Sequence, residues 1–156
     1  MLKKICLLIL LFAWGDSHAN QHAYQTSPPL GEISKISINI NKNSDESITL
    51  SATNGITKSI IDTYLVGDGN PEVKYYFVYP INNVCNIITL VSWDETDIRA
   101  IHYKIYAYIY NGNGEFYVNK KIISNKTLEG YDSYSGGGMT FDYKKPETIK
   151  KYFDEH

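Results

Sequence analysis

The stretch that decides the fold is residues 74–110, KYYFVYPINNVCNIITLVSWDETDIRAIHYKIYAYIY. Three runs in it, 74–79, 86–93 and 102–110, are dense in β-branched and aromatic residues, and polar breaks separate them. Such side chains fit a pleated, half-buried surface, so these runs are expected to be the central strands of a sheet. Tyr75, Phe77 and Tyr79 alternate with Tyr76 and Val78, covering both faces of the first run, and Pro80 is expected to end it. Asn86 to Trp93 is almost continuously apolar, which predicts burial on both faces. In the third run Tyr103, Ile105, Ala107 and Ile109 point one way, and His102, Lys104, Tyr106, Tyr108 and Tyr110 the other.

Outward from this centre the chain keeps short strand signals. Ile36, Ile38 and Ile40 alternate, as do Ile48, Leu50 and Ala52. Asn54-Gly55 is a hairpin signal, because both positions tolerate positive φ, and it favours a strand over a helix for the ITKSIIDTYLV that follows. GDGNP (67–71) reads as a turn, with Pro71 barred from a central strand. Asp94 to Ile101 reads as a polar loop, and NGNG (111–114) as a turn into EFYVNKKII. Residues 124–138, SNKTLEGYDSYSGGG, read as a long loop, and MTFDYK as a last strand. Pro146 suits a helix first turn, with Glu147 near the positive end of the helix. Ile149, Tyr152 and Phe153, spaced i, i+3, i+4, give that helix one apolar side to lay on the sheet. The expected fold class is mainly β (α+β): a single antiparallel β-sheet domain of six to eight strands with a short C-terminal helix.

The N-terminus carries the three parts of a secretory signal. Lys3 and Lys4 give a positive start, Ile5 to Trp14 an apolar run, and Ser17-His18-Ala19 a small-x-small cleavage site. A run of about ten residues is too short to span a bilayer, which takes about 20. The expected organisation is a signal peptide at 1–19, a flexible lead-in at 20–31 and one β-rich domain at 32–156, exported to the periplasm with no stable membrane insertion. Cys6 leaves with the signal, so Cys85 is expected to be a buried, inert thiol with no intramolecular disulfide to form.

Charge and motifs exclude several functions. The signal removes Lys3, Lys4 and Asp16, so 15 basic and 17 acidic side chains become 13 and 16, a net charge of −3. Together with a single arginine, Arg99, this argues against nucleic acid or anionic lipid as a partner. Asp68, Asn70 and Glu72, and likewise Asn111, Asn113 and Glu115, start like calcium loops. The bidentate glutamate such a loop needs eleven residues on is replaced by Tyr79 and Ile122. After cleavage the histidines are His22, His102 and His156, and no HExxH, CxxC or GxSxG motif occurs. Ser135-Gly-Gly-Gly is expected to feed a strand rather than a helix, and so lacks the helix N-terminus of a phosphate cradle. No cofactor, no metal and no chemistry of the chain's own are expected.

Surface recognition remains. The chain has 14 tyrosines, and tyrosine offers wide, rigid contact area at small entropy cost, above all beside Ser, Gly and Asn. Residues 124–138 have that composition, making Tyr131, Asp132 and Tyr134 candidate partner-binding residues. Asp94, Glu95 and Asp97 are candidates for charge steering of a basic target. The stripe Tyr106, Tyr108, Tyr110 reads as packing under the C-terminal helix.

Three segments, YPINNVCNIITLVSW (79–93), HYKIYAYIYNGNG (102–114) and LEGYDSYSGGGMTFDYKKPETIKKYF (128–153), resemble small exported proteins of Gram-negative bacteria. Those are immunity proteins encoded beside type VI secretion effectors. The resemblance spans residues 74–153 and implies a periplasmic protein that binds and blocks one toxin or effector enzyme. It carries no catalytic motif and assigns no binding residue. The competing readings are a periplasmic hydrolase with an unrecognised carboxylate site, and a structural or adhesive surface subunit.

Overall fold

A computed structural model describes residues 36–53, 56–110 and 115–156. The expected signal and lead-in, and the turns expected at Asn54-Gly55 and at NGNG, lie outside the described residues. Two antiparallel sheets are present where the sequence pattern predicts one. The first is three-stranded, in the order β1 (Ser37–Lys42), β2 (Ile48–Thr53), β3 (Lys58–Tyr64). The second has β4 (Pro71–Ile81), β5 (Val84–Glu95) and β6 (Ala100–Tyr110) side by side. Two short strands share the far edge of β6: β7 (Phe116–Val118) at its end and β8 (Glu129–Ser133) at its start. Between β7 and β8 run a one-turn helix, α1 (Lys120–Ile123), and a 3-10 turn over Lys126–Leu128. The chain closes with α2 (Pro146–Glu155).

The five-stranded sheet is the middle of three layers, and the alternation in β5 and β6 explains why. Ile87, Val91, Trp93 and Tyr108 pack against Ile48, Leu50 and Tyr64 of the three-stranded sheet. Ile88, Leu90, Tyr103, Ile105 and Ala107 face the other way, under Ile122, Leu128, Phe141, Ile149 and Tyr152. Burial of β5 on both faces is therefore as its apolar run predicts. The two faces of β6 also divide as expected, but the tyrosine stripe does not lie under the helix. Tyr106 and Tyr108 face the three-stranded sheet, and Tyr110 packs with Phe116 near Ile36 and Ala52.

A polar chain crosses the interface between the sheets. Tyr108 donates to Asp62 Oδ2 at 2.6 Å, which commits its only proton. The Tyr64 hydroxyl, 2.9 Å from Tyr108 and 2.7 Å from Thr89, must then donate to Tyr108 and accept from Thr89. All the hydroxyls are thereby satisfied in a buried setting, where an orphan would cost about 1–3 kcal/mol. Asp62 points inward because it shares a face with Tyr64 and opposes Leu50; the extra residue Ile61 then sets Ile60, opposite Ser51, on the outer side.

Several local expectations need correction. β4 does not stop at Pro80 but reaches Ile81, and Asn82 and Asn83, both with positive φ (50° and 63°), turn it tightly into β5. Its two prolines are tolerated because β4 is an edge strand. Residues 124–138 are not one loop: they hold the 3-10 turn and β8 before a turn at 134–138. The polar loop Asp94–Ile101 shrinks to a four-residue turn, since β5 runs to Glu95 and β6 starts at Ala100. MTFDYK forms no strand; Phe141 instead stacks on Tyr103 at 5.5 Å and lies across Gly130, where a Cβ would come within 3.0 Å of its ring. Cys85 is half-buried rather than buried, and Cys6, the chain's only other cysteine, lies outside the described residues. α2 docks as its spacing predicts, through Ile149 and Tyr152, whereas Phe153 is only half-buried, stacked on Tyr79.

Candidate recognition surface

The three-stranded sheet covers only part of the five-stranded one. At the end where β5 turns into β6 the face is lined by cross-strand neighbours. Trp93 on β5 pairs with His102 on β6, which pairs with Tyr131 on β8. Register partners in antiparallel strands point to the same side, so the three rings form a ladder. Trp93 lies 5.4 Å from His102, and His102 lies 4.7 Å from Tyr131 with the planes only 17° apart. Carboxylates hold the imidazole on both sides: Glu129 Oε1 at 3.0 Å from Nε2 and Glu95 Oε1 at 3.4 Å from Nδ1. Lys104 donates to the other oxygen of Glu129 at 2.8 Å. Partial burial, with Glu95, Glu129 and Asp68 nearby, pushes the Tyr131 hydroxyl up from its ordinary pKa.

Three chain segments meet beside this ladder. The 65–70 segment runs under Trp93, whose indole donates to Leu65 O at 2.9 Å. Gly69 lies directly on the backbone of Asp94, and a Cβ there would sit 2.2 Å from the Asp94 carbonyl oxygen. On the opposite flank, the Tyr134 N–H donates to Arg99 O at 3.0 Å and its hydroxyl donates to Asp94 Oδ1. The turn 96–99 is closed by Arg99 N–H to Thr96 O at 3.2 Å, with Arg99 in the left-handed region (φ 53°). The turn 134–138 is closed by Ser133 N–H to Met139 O at 3.1 Å.

Of the residues the sequence singles out, Tyr134 and Asp94 are in direct contact, although 40 positions apart. Glu95 and Tyr131 both touch His102. Asp97 is exposed at the tip of the turn. Asp132 points to the other side of β8, where Lys144 pairs with it. Tyr131 and Asp132 are strand residues, not loop residues, and Glu95, expected as a solvated charge, is 9% exposed. The sequence pattern does not single out His102, Trp93, Lys104, Glu129, Gly69 or Ile98. Hairpin arithmetic alone would have paired Trp93 with His102, because residues equally spaced about a tight turn face each other.

The members of the cluster hold one another in place. Both ring nitrogens of His102 face carboxylates, so the ring is committed to holding Glu95 and Glu129 in place. No group of three or more His, Cys, Asp or Glu among the described residues is disposed to hold a metal ion. No helix among them is long and apolar enough to cross a membrane. Comparison of the chain with protein-family models, curated proteins and solved structures finds no match.

The close approach at Gly69 carries a prediction. Gly69→Ala must push the 65–70 segment off Asp94, because the obstructing atoms are backbone and cannot rotate away. Overpacking of this kind costs about 1–3 kcal/mol. The urea midpoint should fall accordingly, and an unchanged midpoint would show that the segment is not pressed against β5.

Proposed function

We propose that this chain is an exported binding protein that neutralises a protein toxin by covering its active site, in the manner of an immunity protein of a type VI secretion effector. The observation that carries this reading is the convergence of the Tyr/Ser/Gly turn 134–138 on the acidic turn 96–99, giving one surface that exposes Tyr134, Asp94 and Asp97. Large amphipathic rings beside small polar residues make adaptable protein contacts, and a rim of acids speeds encounter with a basic target. In this reading residues 1–19 direct export and the mature domain acts in the periplasm, without a cofactor or nucleic acid.

Co-expression with the product of the neighbouring gene, directed to the periplasm, tests the proposal. Cells carrying the full chain should survive. Cells carrying the same chain without residues 1–19, and so confined to the cytoplasm, should die like the unprotected strain. Equal killing with and without the full chain would reject the inhibitory role.

A further inference from the structure

We propose that the turn 96–99 is a rigid finger whose Ile98 side chain enters an apolar slot at the mouth of the target's active site, with Tyr134 as its brace. This inference rests on the inhibitory reading above and names the part of the surface that would do the blocking.

An exposed apolar side chain is by itself ordinary. Ile98 is 52% exposed at the tip of a two-stranded turn, a place polar residues usually occupy, and the turn beneath it is held from three directions. Gly69 presses on the Asp94 backbone from one flank. Tyr134 grips both ends from the other, its N–H on Arg99 O and its hydroxyl on Asp94. Glu95, just before the turn, is drawn to His102 on the sheet face. A segment already fixed in its bound shape loses little freedom on binding, so more of its contact energy survives as affinity. Tyr134 and Met139, 46% and 41% exposed, extend the apolar area at this end of the sheet.

The charges around the tip indicate what it fits. Asp97 is exposed next to Ile98, and the Asp94 carboxylate is bound by a neutral hydroxyl, which leaves its charge unbalanced. Glu95 is turned inward, so Asp94 and Asp97 outweigh Arg99 on the outer side. The partner is therefore a protein cleft with an apolar slot and a cationic rim, the inverse of the finger.

The test measures binding of the chain without residues 1–19 to the purified product of the neighbouring gene. Ile98→Asp places a charge in the slot and should weaken binding at least 100-fold, and Ile98→Ala about 30-fold, the scale of an interface anchor. Melting temperatures should not move, because the side chain is exposed. Ile60→Asp, on the exposed side of β3, should leave affinity unchanged. As a brace, Tyr134 should lose nearly as much affinity when changed to Phe, which removes only its hydroxyl, as when changed to Ala. Full affinity in Tyr134→Phe beside a loss in Tyr134→Ala would overturn the brace. Wild-type binding with Ile98→Asp within twofold of it would overturn the finger and leave the inhibitory reading standing. No binding by the wild-type chain would overturn both.

Discussion

Raised above pH 10, this protein should lose stability along a steep line. Burial pushes the hydroxyls of Tyr64 and Tyr108 well above the ordinary tyrosine value, and the nearby Asp62 carboxylate adds to the effect. The unfolded chain releases these protons near pH 10, whereas the folded chain retains them. Above that point the unfolded state binds fewer protons, so the slope of stability with pH is negative. The contribution is fully present below pH 10 and is lost as pH rises toward the folded values. Each hydroxyl adds about 1.4 kcal/mol per pH unit, and because the two share one hydrogen-bonded chain the pair should give about 1.4–2.8. Tyr106, raised chiefly by burial, acts in the same direction, and so does Tyr79, pushed up to about 12 by burial and then by Asp154. Urea midpoints should be flat from pH 8 to 9.5 and fall steeply beyond 10.5. A midpoint still flat at pH 11.5 would mean that the polar chain between the sheets is solvated.

The second large effect is at Ile149. It is fully buried where α2 meets the five-stranded sheet, and Ile149→Ala should cost about 2–5 kcal/mol. Phe153→Ala should cost less, because that ring is half-buried and its contact with Tyr79 lies at the rim. The comparison separates docking of the helix from contact at its end. Urea unfolding with an unchanged slope should order the variants as wild type, Phe153→Ala, Ile149→Ala. Equal midpoints for wild type and Ile149→Ala would mean that the third layer is not packed on the second.

How far the sequence reveals these features depends on the kind of information each one needs. The two-faced burial of Asn86 to Trp93 and the split faces of β6 follow from side-chain period, which is local. Division into two sheets does not, because an apolar pattern marks a strand and its buried face but not the strand it pairs with. Packing of the Tyr106–Tyr110 stripe is legible but its cover is not, since alternation says that a face is buried and not by what. β8 leaves no strand signal because EGYDS contains no β-branched residue; it is a strand because β6 offers an edge there. MTFDYK shows the converse, a strand-like run in which Phe141 serves the core better as a plug over Gly130. Tyr134 and Asp94 were legible from composition, but their contact was not. Ile98 left no signal, because one apolar residue in a polar turn has no period.

The outer strands have one more consequence. β3 bulges at Ile61, while β4 carries Pro71 and Pro80, which have no N–H to offer. An interrupted ladder cannot template a neighbouring copy. Along these two edges the chain should therefore resist pairing with another copy of itself even at high concentration, although Ile60 and Leu65 stand exposed beside them.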